Sequence, residues 1–435
     1  MTAALPLTVS HRWSRPQRFG AWLSVHASGV AISAVVLNLI LAGGYAIHLG
    51  RIVRFHDEQV YLDIVGSLAY NHGFTVDSVN PTAYRPPGYA FLLLPLHLAS
   101  GGSVVVLRMA GVLALAGTVW FTYLLGRRAH TPATGAIAAV VVACYPLLIF
   151  TATTLYPQVP ALFLLLVTFE MAARALPENG RAKIGYALLA GLVGGFLIIT
   201  VPTFGVTAVV LVAWLAWRRF ANRRKVSWAA VLALILALAV LPGVWCVRNA
   251  VVMRAFVPVS TNDGFNLLLG NSPNTTADSG TDVDISRYTT FASVHQYNEV
   301  QADHYFAGQA LSWIGHHPGS AAELYAEKVV NNFSYSDDLA TSSQGSVLQN
   351  VVSAASYYPI LLLALVRLLM YRRWRLSPTE KLLALTIVVN ILLLAVFFTR
   401  IRFRVPLDAL TVVLAASTLS HLLNRRRVRQ RKAVA

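Results

Sequence analysis

The sequence is short of charge. Of its 435 residues only 12% are Asp, Glu, Lys or Arg, against 56% hydrophobic. Soluble domains carry about 25% charged residues, and no single domain builds a core large enough to hide so much apolar surface. Acidic residues are the scarcest, 18 against 35 Lys and Arg, leaving a formal net charge of +17. Such a surplus often marks a nucleic-acid partner. Here the basic residues stand in short clusters between apolar runs, the pattern of membrane topology, so no nucleic-acid partner is expected. Cysteine is almost missing: Cys144 and Cys246 both lie in apolar stretches, exclude a disulfide framework and read as core residues. An all-α polytopic membrane protein is what these shortages leave.

A helix needs about 20 apolar residues to cross the hydrocarbon, so charge-free runs locate the spans. They predict helices at 24–49, 107–126, 133–150, 157–174, two within 184–217, and others at 227–247, 351–371, 380–399 and 405–423. The run through 184–217 divides at Thr200-Val201-Pro202-Thr203, and Tyr156-Pro157 closes the third span. With residues 1–23 placed in the cytoplasm, 24 of the 35 basic residues face inward with only Glu170, Glu178 and Glu380. The outer side then holds 11 basic and 15 acidic residues, as the positive-inside bias requires. The expected organisation is a transmembrane region at 24–247 with a first extracytoplasmic loop at 50–106. A large extracytoplasmic loop follows at 248–350, then C-terminal transmembrane helices at 351–423 and a basic cytoplasmic tail at 424–435. Stretches 58–72, 88–99 and 319–333 read as interfacial helices; 271–287 and 336–346 read as loops.

The chemistry-bearing residues cluster at the outer ends of the spans. His56-Asp57-Glu58 follows the first span directly; a carboxylate beside a bilayer is costly, so Asp57 reads as a general base, or alternatively as an N-cap. Tyr84-Arg85-Pro86-Pro87-Gly88-Tyr89 sets a guanidinium on a stiff support, suited to phosphate or to a helix-starting turn. Arg400-Ile401-Arg402-Phe403-Arg404 places three cations where the topology disfavours them, with Arg400 and Arg404 on one helical face and Arg402 turned away. Arg248 is a further outward cation. Asp282-Val283-Asp284 imitates a metal-holding pair without a nucleotide domain around it, and the loop histidines lack ligand spacing.

Taken together these residues resemble the GT-C superfamily of integral-membrane glycosyltransferases, nearest to family 39, which holds protein O-mannosyltransferases and lipid A aminoarabinose transferases. The stretches that carry the likeness are RFHDEQVYLDIVGSLAYNHG at 54–73, AYRPPGYAFLLLPL at 83–96, VRNAVVMRAFVPVSTNDGFNLLLGNSP at 247–273, HHPGSAAELYAEKVVNNF at 316–333 and RIRFRVP at 400–406. The resemblance implies a GT-C bundle of about ten transmembrane helices in the plasma (inner) membrane, working on the extracytoplasmic side. It implies a polyprenyl-phosphate-linked sugar donor, a glycan, lipid or protein acceptor, and inversion at the sugar. Asp57 then matches the family's proposed base, with Glu58 beside it orienting it or the acceptor. Arg85, Arg400, Arg402, Arg404 and Arg248 would hold the donor phosphate, and His56, Tyr61, Tyr84, Tyr89 and Asn262 would line the substrate site. The sequence departs from the family where Tyr84 replaces an acidic residue, and where 151–160 carries no second acid. Both departures weaken a metal-dependent version, so no cofactor is expected. With the chain ending in a basic tail, acceptor binding is expected to fall to 248–350. Competing readings are a ligase or polymerase of diphosphate-linked glycans, which would depend on loop Arg and His residues, and a lipid-linked sugar transporter, which would favour midplane charges and repeats.

Overall fold

The computed structural model describes residues 15–175, 184–221, 227–335 and 346–433. The basic turns expected at 181–183 and 223–225, the loop at 336–345 and most of segment 1–23 lie outside them. Among the described residues the regular structure is helical. α1 (Arg15–Val25) leads into α2 (Ala27–Leu49); α3 (His56–Ala69) and α4 (Pro87–Ser100) follow, then α5 (Val104–Ala129), α6 (Pro132–Ala143), α7 (Pro146–Thr153) and α8 (Gln158–Ala175). Next come α9 (Ile184–Thr200), α10 (Gly205–Ala221) and α11 (Trp228–Val252). A stretch of four shorter helices holds α12 (Asp263–Gly270), α13 (Ser286–Val294), α14 (Glu299–His316) and α15 (Pro318–Asn331). α16 (Val347–Leu369), α17 (Pro378–Leu394) and α18 (Ile401–Ala433) complete the chain.

Among the described residues six helices are long and apolar enough to cross a membrane: α2, α5, α8, α11, α16 and α18. α6 and α7 reach that length and apolarity only as a pair, bent by 56° at their junction. The sequence predicts one straight helix there; Pro146 breaks it, having no N–H to continue the ladder. The Ala143 carbonyl at the break is not left bare in the bundle, since Asn38 Nδ2 donates to it at 3.0 Å. At the remaining expected spans stand α9, α10 and α17, at 17 residues each shorter than the helices that meet the length for crossing, and α9 stops at Thr200 as read from the sequence. The interfacial helices expected near 58–72, 88–99 and 319–333 are α3, α4 and α15.

Lipid is as apolar as leucine, so these helices associate by close packing rather than by hydrophobic drive. α6 turns Ala133, Thr134, Gly135, Ala136, Ala138, Ala139, Val142 and Ala143 inward, and a Cβ on Gly126 of α5 would stand 2.8 Å from the Gly135 Cα. The two cysteines do not join this core: Cys144 is exposed and Cys246 half-buried, because apolar positions on a membrane helix face lipid as readily as protein.

Several buried charges are paired. Glu58 and Arg108 are each 1% exposed and meet at 3.3 Å. Arg108 also donates to the carbonyls of Thr153 and Ile52, while Glu58 accepts the N–H groups of Arg54 at 2.8 Å, Phe55 at 3.1 Å and Leu155 at 2.9 Å. One carboxylate thus fastens the α2–α3 turn to α5 and to the α7–α8 linker. Removing one partner of such a pair strands a buried charge at a cost of about 3–5 kcal/mol. Glu58→Gln and Arg108→Met are therefore expected to lose that stability in detergent unfolding experiments; wild-type unfolding in both would remove this role.

Candidate functional site

A cavity of about 160 Å³ opens where the α2–α3 segment, the α7–α8 linker, the α9–α10 break, α12 and the α17–α18 turn converge. Asp57 stands on its wall in the first turn of α3. It is not the N-cap: Glu58, one residue on, takes the backbone N–H groups there, which leaves Asp57 to turn the other way. The Asp57 carboxylate meets two guanidiniums, Arg85 on Oδ1 and Arg402 on Oδ2, the latter at 2.8 Å. Burial alone would raise its pKa, but Arg402 and then Arg85 outweigh burial and hold it below the usual carboxylate range.

Each arginine is aimed by its surroundings. Arg85 lies over the Tyr84 ring at 4.9 Å and is followed by Pro86 and Pro87, which open α4. Gly88 then lets α4 sit against the end of α9: a Cβ there would stand 2.8 Å from the Thr200 backbone nitrogen. Arg402 lies over Tyr156 at 4.9 Å. Both guanidiniums keep a buried Nε without a hydrogen-bond partner.

Of the residues singled out in the sequence, the cavity is lined by Asp57, Tyr61, Arg85, Asn262 and Arg402; burial pushes the Tyr61 hydroxyl up to about 12. The others lie elsewhere, each for a visible reason. Glu58 is consumed by Arg108. His56 is exposed on the outer side of the α3 start. Tyr84 supports Arg85, and Tyr89 is fully buried edge-on against Tyr61 at 4.9 Å. Arg248 donates to the Thr82 carbonyl at 2.9 Å and stacks on Trp245 at 4.7 Å. Arg400 bonds the Thr281 hydroxyl. Arg404, 3% exposed, pairs with Asp408 at 3.2 Å and donates to the Asn332 carbonyl at 2.9 Å. The face-sharing expected of Arg400 and Arg404 fails because α18 begins only at Ile401 and because Asp408, one turn on, draws Arg404 into the bundle. Arg402 therefore faces the cavity.

Four features escaped the sequence reading. Glu299, at the start of α14, joins the two long inter-helix segments: its carboxylate accepts the Thr82 hydroxyl at 2.6 Å, the Ala83 N–H at 2.9 Å and the Thr261 hydroxyl. Ala83 returns the link by accepting the Thr261 N–H at 3.0 Å. Arg85 and Asn262, on two cavity walls, each follow this clasp closely in sequence. Asp303 of α14 accepts the Gly264 N–H at 2.7 Å and so caps α12. Asp263, at the cavity mouth, is pushed up to about 6 by desolvation and by that neighbouring carboxylate. Gln158 opens α8, lines the cavity, and buries an Oε1 without a partner. Lys328, fully buried, ties Gly270 and the α17–α18 turn together through the carbonyls of Gly270 at 2.8 Å and Phe397 at 3.0 Å.

Among the described residues no three His, Cys, Asp or Glu side chains come together as a metal ion requires. Asp57 is met by two cations, so this lining does not fit a divalent metal and no step is drawn through one. Asp284 of the metal-like pair caps α13 through the Ser286 N–H at 3.0 Å.

The family model described as dolichyl-phosphate-mannose-protein mannosyltransferase matches residues 84–245, over a third of the chain. Among solved structures, the apo oligosaccharyltransferase of Archaeoglobus fulgidus superposes with a TM-score of 0.55 at 13% identity, over 95% of this chain and 52% of that one. The archaeal oligosaccharyltransferase AglB from the same organism, in complex with an inhibitory peptide and a dolichol-phosphate, gives 0.50 at 14% identity, with 95% and 52% covered. ArnT from Cupriavidus metallidurans bound to undecaprenyl phosphate gives 0.42 at 13% identity, with 93% and 78% covered. No curated protein sequence matches. The chain thus shares the fold of the Archaeoglobus fulgidus oligosaccharyltransferase and spans about half of its length.

Because three bonds converge on one carboxylate, Glu299→Ala is expected to cost on the order of 3 kcal/mol. Hydrogen–deuterium exchange should rise at 82–85 and 261–266 while α5 and α6 stay protected. Unchanged exchange in both segments would show that the clasp does not hold them.

Proposed function

We propose that this chain is a glycosyltransferase that moves one sugar from a polyprenyl-phosphate donor to a hydroxyl acceptor, with inversion, at the cavity beside Asp57. The observation that carries the reading is the placement of one carboxylate between two aimed guanidiniums, where the spans end. The GT-C fold supports it, as does the dolichol-phosphate named in the AglB complex; the family description names a sugar linked in the same way. In this reading the protein sits in the plasma (inner) membrane with its termini cytoplasmic and the cavity extracytoplasmic, the side that the charge asymmetry assigns to it.

The donor phosphate binds Arg85 and Arg402, whose fork geometry matches two phosphate oxygens. The acceptor hydroxyl attacks the anomeric carbon from the face opposite the phosphate. As the new C–O bond forms, Asp57 takes the hydroxyl proton, and the old bond from carbon to phosphate oxygen breaks, its electron pair leaving with the polyprenyl phosphate. The guanidiniums stabilise the negative charge that grows on that oxygen. The same cations make Asp57 a weak base while the site is empty. A phosphate that draws them off raises the proton affinity of Asp57, so the donor itself readies the base. The acceptor enters from the α12–α15 side. The glycan-ligase reading, which leans on loop Arg and His residues rather than on Asp57, is less well supported because an aspartate lies between the two cavity arginines and, among the described residues, no histidine joins them.

Transfer of radiolabelled sugar from synthetic polyprenyl-phosphate donors by the purified protein tests this directly. Asp57→Asn is expected to cut transfer by about 10²–10⁴-fold, measured on folded protein and beyond the small loss of stability from its two ion pairs; full activity in that variant removes the base. Arg402→Ala is expected to raise the donor KM more than the acceptor KM, whereas Arg404→Ala, which strands Asp408, is expected to lose stability. Equal effects on both substrates from Arg402→Ala would reassign it to structure.

The pH profile follows from the charges. With its pKa held below the usual range, Asp57 stays ionised in the free protein down past pH ~4, so kcat/KM shows no acid limb from it between pH 5 and 7. Its stabilising pairing is present above the unfolded aspartate value of about 3.9 and lost as pH falls through the lower folded value. The acid limb of kcat, which reports the donor-bound state, is expected at higher pH than that of kcat/KM. Coincident limbs would show that the guanidiniums stay on Asp57.

A further inference from the structure

The charged part of the cavity accounts for a phosphate and a proton, but it leaves a neutral part unused. Gln158 is 7% exposed, lines the cavity from the first turn of α8, and buries its Oε1 with no hydrogen-bond partner among the described residues. Two more carboxamides line the same space from α12. Asn262 accepts the Ser260 hydroxyl at 3.2 Å on its Oδ1, which leaves its NH₂ to donate, and Asn266 carries no side-chain bond to the described residues. Asp263 adds an acceptor between them in sequence.

A buried amide oxygen without a partner is costly, and folded proteins rarely keep one unless something outside the chain completes it. The type of group indicates the kind of partner. Carboxamides add little to the binding of a phosphate, which cations hold better. Each offers one acceptor and two donors in a fixed plane, which matches a hydroxyl that must both donate and accept. Several of them around one cavity match a ring bearing several hydroxyls. The cavity, at about 160 Å³, has room for a sugar-sized group.

We propose that Gln158, with Asn262, Asp263 and Asn266, forms a subsite that reads the hydroxyls of a single donor sugar, and that it sets which sugar is transferred. The subsite rests on the reading of the cavity as a polyprenyl-phosphate-sugar site, and it goes beyond it by separating two functions. Arg85 and Arg402 hold the lipid phosphate whatever sugar it carries. The carboxamides on α8 and α12 hold the sugar. A site built to bond a hydroxyl discriminates strongly against an analogue that lacks it, because its own polar groups are then left unpaired, so the subsite acts in selection as well as in affinity.

Binding separates the two. Purified full-length protein in nanodiscs is titrated with bare polyprenyl phosphate and with the same lipid carrying mannose, glucose, galactose or arabinose. Wild type is expected to bind at least one sugar-bearing lipid about tenfold more tightly than the bare lipid. Gln158→Leu should bring that ratio to about one while the Kd for bare lipid stays within about twofold. Since it removes an unpaired buried oxygen, it should leave the ligand-free unfolding temperature equal or higher. Asn266→Ala, on a different helix, carries the same test should Gln158→Leu not fold, and should shrink the ratio in the same direction. A ratio that survives in the folded variants, an equal loss of bare and sugar-bearing lipid in both, or a wild type that prefers no sugar overturns the subsite. Wild type that binds no polyprenyl phosphate at all overturns the donor reading itself.

Discussion

Asp57 can face the cavity because Glu58 cannot. Two adjacent carboxylates at the start of one helix point to different sides, and the buried pairing of Glu58 with Arg108 decides which goes where. Once Glu58 is drawn inward to Arg108 and to the three backbone N–H groups around it, the α3 helix is fixed in rotation and the preceding side chains follow. The pairing also occupies Arg108 with Glu58 rather than with Asp57. A buried ion pair of this kind adds little net stability over an apolar pair. What it contributes here is a direction.

The site that results carries two cations and one anion on the same few side chains, and that imbalance has consequences. With the cavity empty, Asp57 neutralises part of the charge and holds both guanidiniums in place, so the site is organised before a ligand arrives and little side-chain entropy remains to be lost on binding. A phosphate entering the cavity competes with Asp57 for the same donors. The affinity of the site for phosphate is lowered by that competition, while the reactivity of the carboxylate is raised by it. In the proposed transfer, binding strength is thereby exchanged for base strength, which is the direction in which binding energy speeds a reaction.

How much of this could be read from the sequence depends on range. The spans were legible because a membrane makes each helix declare itself locally through missing charge, and the breaks at Pro157 and Pro202 because proline acts on its own neighbours. Asp57 and Arg85 stood out for the same reason, as charges set directly against apolar runs. The partners were not legible. Arg108 lies 50 residues from Glu58 and Glu299 lies 217 residues from Thr82, and no local period encodes either distance. The arginines at 400–404 were misassigned by face because the outcome turned on a single residue of helix start and on Asp408 inside the following span. Gln158 gave no signal at all: a lone glutamine at a helix start is ordinary, and only its burial without a partner distinguishes it.

The placement of the cavity follows from helix length. α9 and α17 end at its lining residues Thr200 and Leu394, and α10 begins beside Phe204. Each of these helices has 17 residues, about 25 Å at 1.5 Å per residue, against a hydrocarbon thickness of about 30 Å. Helices that fall about 5 Å short cannot bring their ends level with those of the longer spans around them. The space above them must be filled by something other than helix, and here it is filled by the cavity and by the loops that Glu299 and Lys328 clasp over it. Phe397, Phe398, Phe403 and Pro406 give that recess an apolar floor, while its charged groups come from the ends of elements and not from their middles. A lipid phosphate keeps its chain in the hydrocarbon and its head at the boundary. In the proposed transfer, three short helices would therefore set a polar site at the depth of such a headgroup, so that no long chain has to be pulled out of the membrane to reach it.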